Sequence, residues 1–130
     1  MNTIIGNKNN QISPNQIITL NRGDTFEATL FINFGTQLVQ DEYKLTENDK
    51  VYFAITEANQ KFEHAIIKKM YTYNDLDEDG NVVIKLESKD TEHLIPGTYY
   101  YEIKLELGSD NEESSTVITI VPKRKLFLVE

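Results

Sequence analysis

Leu94-Ile-Pro-Gly-Thr-Tyr-Tyr-Tyr-Glu-Ile-Lys-Leu-Glu-Leu107 is the stretch that decides the fold class. Pro96-Gly97 is a turn signal, and an unbroken alternation follows it. Tyr99, Tyr101, Ile103, Leu105 and Leu107 fall on one side, and Tyr100, Glu102, Lys104 and Glu106 on the other. Strand side chains point to opposite faces at period two, so this segment predicts a strand with one buried and one wet face.

The same pattern repeats along the chain between turn residues, as in a sandwich or barrel. A strand is expected over 17–20, then a tight turn at Asn21-Arg-Gly-Asp24. A longer strand over 25–33 faces Phe26, Ala28, Leu30 and Ile32 inward. Strands are also expected over 50–57 (Val51, Phe53 and Ile55 inward), 62–71 after a hairpin loop at 58–61, 81–86 (Val82, Ile84 and Leu86 inward) and 115–121. The polar stretch 35–48 reads as a connection with one short strand near 43–45. Ser88-Lys-Asp-Thr-Glu-His93 reads as a single helical turn capped by Ser88, with acids in its first turn. No segment keeps a helical period. The expectation is one immunoglobulin-like antiparallel β-sandwich over 16–122, preceded by an Asn-rich arm over 1–15 and followed by a basic, apolar tail over 123–130.

Composition narrows the classes. In 130 residues, 39% hydrophobic and 26% charged content predicts one globular domain with a real core. No apolar run approaches the roughly 20 residues that span a bilayer, and no membrane partner is expected. The first eleven residues lack a basic n-region and an apolar h-region, so a secretory signal is not expected. Without cysteine there is no disulfide, thiolate metal site or cysteine nucleophile, which suits synthesis in a reducing cytoplasm. A net charge of −8, with basic residues adjacent only at Lys68-Lys69 and Lys123-Arg124-Lys125, argues against a nucleic-acid partner.

Asp75-Leu-Asp-Glu-Asp-Gly80 is the strongest local motif. Asp75, Asp77 and Asp79 occupy positions one, three and five with glycine at six, as in the first half of an EF-hand loop. Position twelve, which should be a bidentate acid, is Leu86. Asp79-Gly80 is equally good turn chemistry between strands. The motif therefore reads as a solvated acidic turn, with a Ca²⁺ site as the alternative; no other cofactor is expected. His64, in a strand, and His93, in a loop, are not spaced as zinc ligands. There is no Gly-x-Ser-x-Gly elbow and no glycine-rich phosphate loop, so no catalytic residue is nominated and no enzyme is expected. Tyr71, Tyr73, Tyr99, Tyr100 and Tyr101 raise carbohydrate stacking, but Tyr99 and Tyr101 read as core.

The C-terminal run Pro122-Lys-Arg-Lys-Leu-Phe-Leu-Val-Glu130 is the remaining feature. Pro122 is expected to end the preceding strand. Leu126, Phe127, Leu128 and Val129 must be covered, since apolar surface left in water costs about 25 cal/mol per Å². Two covers are open: a last edge strand on this domain, or a segment donated to another subunit. In the second case Lys123, Arg124 and Lys125 would dock on an acidic neighbour.

Taken in order, Arg22-Gly-Asp-Thr25, Asp49-Lys-Val-Tyr-Phe-Ala-Ile55, Asp79-Gly-Asn-Val-Val-Ile-Lys-Leu86, the segment 90–105 and Thr116-Val-Ile-Thr-Ile-Val-Pro122 form a series. It resembles the small immunoglobulin-like modules of tailed-phage structural proteins, most of all the N-terminal domain of baseplate upper and fibre-attachment proteins. The resemblance spans about 16–122. It departs at 108–115, where family members often carry a glycine-containing hairpin, and in ending soon after the module. It implies a virion protein assembled in the host bacterial cytoplasm, an adaptor without a separate receptor-binding head. Its expected partners are other virion proteins and further copies of itself in a symmetric assembly. Tail or baseplate attachment is the first expectation, and capsid decoration or head-fibre anchoring the second. A carbohydrate- or calcium-dependent binding module is the rival from another class.

Overall fold

The computed structural model describes residues 2–6, 11–12, 17–35, 40–108 and 116–130. The alternating segment forms β9 (Gly97–Leu107), at the centre of a five-stranded sheet. On one side β9 pairs with β10 (Thr116–Val129), and β10 with the edge strand β3 (Ile18–Asn21). On the other side lie β6 (Lys50–Thr56) and then β7 (Ile67–Thr72). The second sheet is built on β4 (Phe26–Gly35). One edge of β4 carries β1 (Asn2–Gly6), which pairs with β2 (Gln11–Ile12); the other carries β8 (Val82–Leu86) and then β5 (Gln40–Tyr43). The inward residues named from the sequence meet between the sheets. Ala28, Leu30, Val51, Phe53, Ile55, Val82, Ile84, Leu86, Tyr101, Ile103 and Leu105 are all buried.

The molecule is an all-β sandwich. The β6–β9–β10 neighbours correspond to the C, F and G strands of immunoglobulin-like sandwiches, and the β4–β8 pair to B and E. One pair departs from the expected antiparallel order: β3 runs parallel to β10, with Ile18 opposite Leu126 and Leu20 opposite Leu128. Among the described residues no helix is long and apolar enough to cross a membrane.

Several boundaries differ from the sequence reading for identifiable reasons. Residues 2–6 of the expected arm are a strand laid along β4, from Asn2 opposite Asn33 to Gly6 opposite Thr29; residues 1, 7–10 and 13–16 lie outside the described residues. β7 starts at Ile67, not at 62, because Phe62–His64 forms a one-turn 3₁₀ helix packed back on β6. Asn59 makes the preceding turn with φ 65°, a left-handed conformation that asparagine tolerates. β10 does not end at Pro122. Its register against β9 shifts between Thr119 and Val121 and again between Val121 and Arg124, so the proline sits in a bulge. The short helix Ser88–Thr91 is present, but Glu87 and not Ser88 occupies its N-cap, and Asp90 Oδ2 accepts the Glu87 N–H at 2.7 Å.

One buried acid ties the end of β9 to the second sheet. Asp49 is 2% exposed and accepts from the Tyr43 hydroxyl, from the Thr46 N–H at 2.9 Å and from the Gly108 N–H at 3.0 Å. Burial opposes its charge, but these donors outweigh burial and hold its pKa below the usual carboxylate value. Burial, then the facing carboxylate, pushes Tyr43 up to about 12. Gly108 has no room for a side chain, since a Cβ there would lie 2.1 Å from the Asn48 carbonyl oxygen.

Candidate functional site

The outer face of the β3–β10–β9–β6–β7 sheet gathers aromatic, apolar and lysine side chains. Cross-strand register places Thr119, Lys104, Tyr52 and Met70 in one row, and Val117, Glu106, Lys50 and Thr72 in the next. Met70 is 53% exposed and Val117 55%. The Phe62 helix lies over this face. The Phe62 ring meets Tyr52 edge-on with centroids 6.4 Å apart, and the Lys68 and Lys104 ammonium groups stand 4.6 and 4.5 Å from its centroid. Ala54 and Thr56 point outward by register and are still buried beneath this cover. Lys123 reaches back from the β10 bulge, donating to the Gln60 carbonyl at 2.8 Å with its ammonium 5.9 Å from the Tyr100 centroid. The Tyr52 hydroxyl donates to Glu106 Oε2 at 3.2 Å, and burial followed by that carboxylate raises its pKa. On the strands of this face Lys50, Lys68, Lys104, Lys123 and Lys125 outnumber Glu102 and Glu106, in a chain whose net charge is −8. Such a face can take apolar and anionic partner groups together, through ring faces and ammonium groups in alternation.

The C-terminal segment divides by face. Leu126 and Leu128 are each 2% exposed and pack in the core beside Ile18 and Leu20, so they belong to this chain's own last strand and are not a segment free to be donated. The cause is parity: within one strand alternate residues must face opposite ways. Lys125 pairs with Tyr100, and Phe127 with Thr98, which extends the outer face along β10. Phe127 is half-buried and Val129 is 39% exposed. Arg124 lies opposite Tyr101, on the other side of the strand from Lys125.

In the acidic loop the carboxylates turn toward their own chain. Asp75 Oδ2 accepts from the N–H and hydroxyl of Thr72 at 2.8 and 3.0 Å, capping a one-turn helix (Tyr73–Asp75). Asp77 Oδ1 accepts the N–H groups of Asp79 and Asn81, both at 2.9 Å, and Gly80 takes φ 78° to close the turn. Among the described residues no three His, Cys, Asp or Glu side chains are gathered in an arrangement that could hold a metal ion. His64 is in the 3₁₀ turn and not in a strand; His93 is in a loop, and both are exposed. The tyrosines do not form one platform: Tyr99 and Tyr101 are core, Tyr100 faces outward, and the Tyr71 hydroxyl accepts the Lys85 N–H at 3.0 Å. Lys68 and Lys69 part company as well. Lys68 points outward, while Lys69 turns to Asp90 at 3.0 Å.

Sequence reasoning missed the Tyr52–Phe62–Met70 centre of the outer face. The usable signal was Tyr52 and Tyr100, aromatic residues at outward positions where amphipathic strands usually carry charge.

With this geometry the class is an all-β sandwich bearing an aromatic and lysine-rich sheet face. No protein-family model matches the chain, and no curated protein matches it. Among solved structures it is similar to AggA, the major subunit of aggregative adherence fimbriae type I from Escherichia coli. The identity is 14%, with 87% of this chain and 89% of that chain covered, at a TM-score of 0.36. A likeness that loose carries nothing about activity.

Proposed function

We propose that this chain is a non-enzymatic assembly protein of a tailed-phage particle, an adaptor acting by protein–protein contact at the tail, baseplate or fibre attachment. The observation that carries the reading is the outer sheet face, where Tyr52, Phe62, Met70 and Val117 lie among lysines on a hydrogen-bonded five-stranded sheet. A hydrogen-bonded sheet face of this kind costs little backbone entropy when it is covered. The order of turn and strand motifs, which resembles phage immunoglobulin-like modules, supplies the setting. In the rival calcium module the acidic loop would supply the ligands; there one carboxylate oxygen each of Asp75 and Asp77 accepts local donors.

The test is peptide mass spectrometry on an induced lysate separated into heads, tails and soluble protein. Recovery with tails is the expected result. Recovery with heads would replace it with capsid decoration or head-fibre anchoring, and recovery in the soluble fraction alone would refute a virion role.

A further inference from the structure

Among the described residues the two outer faces of the sandwich carry opposite excesses of charge. One carries Tyr52 and Met70 side by side, flanked by Lys68 and Lys104, with Glu106 accepting from the Tyr52 hydroxyl. The other, across the core, holds a groove of about 340 Å³ in which apolar Phe31 and Val83 lie among Glu27, Asp77 and Asp79. Lys85 stands opposite Glu27 on β8 and Lys44 donates to the groove-lining Asn81 at 2.6 Å; among the described residues the three acids still outnumber these two lysines. Each surface thus has an apolar centre with charge around it, and the signs are reversed between them.

We propose that copies of this chain associate head to tail, the Tyr52–Met70 face of one seating in the Phe31–Val83 groove of the next. The occupant is a second copy because the required complement, apolar groups ringed by the opposite charge, is present on the same molecule. The two patches are different and lie on opposite sides of the sandwich, so the contact is heterologous. It builds a ring if the rotation closes and an open filament if it does not, and it cannot stop at a symmetric dimer. The lysine–acid component is exposed at its rim, so association weakens as salt rises. This specifies the self-association that an assembly role calls for, yet it stands on the two faces alone: a soluble location in the lysate would leave it untouched.

Sedimentation velocity on the full chain tests it. The wild type is expected to gain mass with concentration at low salt and to lose it at high salt. The face variant Lys68→Glu/Lys104→Glu and the groove variant Glu27→Lys/Asp79→Lys should each associate roughly tenfold or more weakly. Mixed together they should recover association as an alternating co-assembly, because the intact groove of the face variant meets the intact face of the groove variant and the two reversed patches are again opposite in charge. Thermal melts establish that each variant is folded, and Met70→Glu, at an exposed position, replaces the face variant should that one unfold. A wild type that stays monomeric overturns the proposal. So does a dimer indifferent to the groove variant, or a mixture that recovers nothing.

Discussion

Deleting residues 122–130 should abolish the fold and not merely a contact. The segment supplies Leu126 and Leu128, each 2% exposed, and it is the ladder partner of β3, which carries Ile18 and Leu20 at 4% and 6%. Removal exposes or orphans these four aliphatic side chains. At about 1.5–3 kcal/mol for each buried side chain, the loss is roughly 6–12 kcal/mol. Domains of this size are stable by about 5–15 kcal/mol in all. The truncated chain should therefore show no cooperative transition in urea, while Leu126→Ala alone should remain folded and lose about 2–5 kcal/mol. Lys125→Ala, an exposed change on the neighbouring position, should stay within about 0.5 kcal/mol of wild type. The measurement is circular dichroism against urea for all three. A truncated protein that unfolds cooperatively with the wild-type midpoint and slope would refute the placement of these leucines in the core and restore a dispensable docking tail.

Asp49→Ala leaves the Tyr43 hydroxyl and the N–H groups of Thr46 and Gly108 without their acceptor, and should cost about 3–5 kcal/mol by urea denaturation. The folded pKa values of Asp49 and Asp90 both lie below normal. The stability they contribute is thus complete above the unfolded value of about 3.9 and lost as pH falls through the folded values; Asp49→Asn should show a shallower acid limb in melting temperature against pH. Gly108→Ala drives a Cβ to 2.1 Å from the Asn48 carbonyl and should cost about 1–3 kcal/mol. Gly97→Ala meets nothing within 4 Å and should be neutral or stabilising by up to about 1 kcal/mol, both read from thermal melts. Calcium should leave the melting temperature unchanged, and a rise of several degrees that Asp77→Ala removes would reinstate the calcium site.

The sequence by itself determined the class and most of the strands. Period-two alternation over 99–107, 51–55 and 82–86 dictates which side chains turn inward, because a strand has only two faces and burial favours one. Turn chemistry at Pro96-Gly97 and Asp79-Gly80 bounded those strands for equally local reasons. Tertiary structure alone decided the fate of 123–130. An apolar run of four reads the same whether it is edge strand or free hook, and only the pairing of β10 with β9 and β3 sends Leu126 and Leu128 inward while Lys125 and Phe127 stay on the outer face. The same holds for the role of Asp49. Its donors come from Tyr43, Thr46 and Gly108, two of them close in sequence and one on the far end of another strand, and no local pattern announces a partner 59 residues away. The aromatic and lysine-rich face is likewise a product of register, assembled from single residues on four strands that are neighbours only once the sheet has formed.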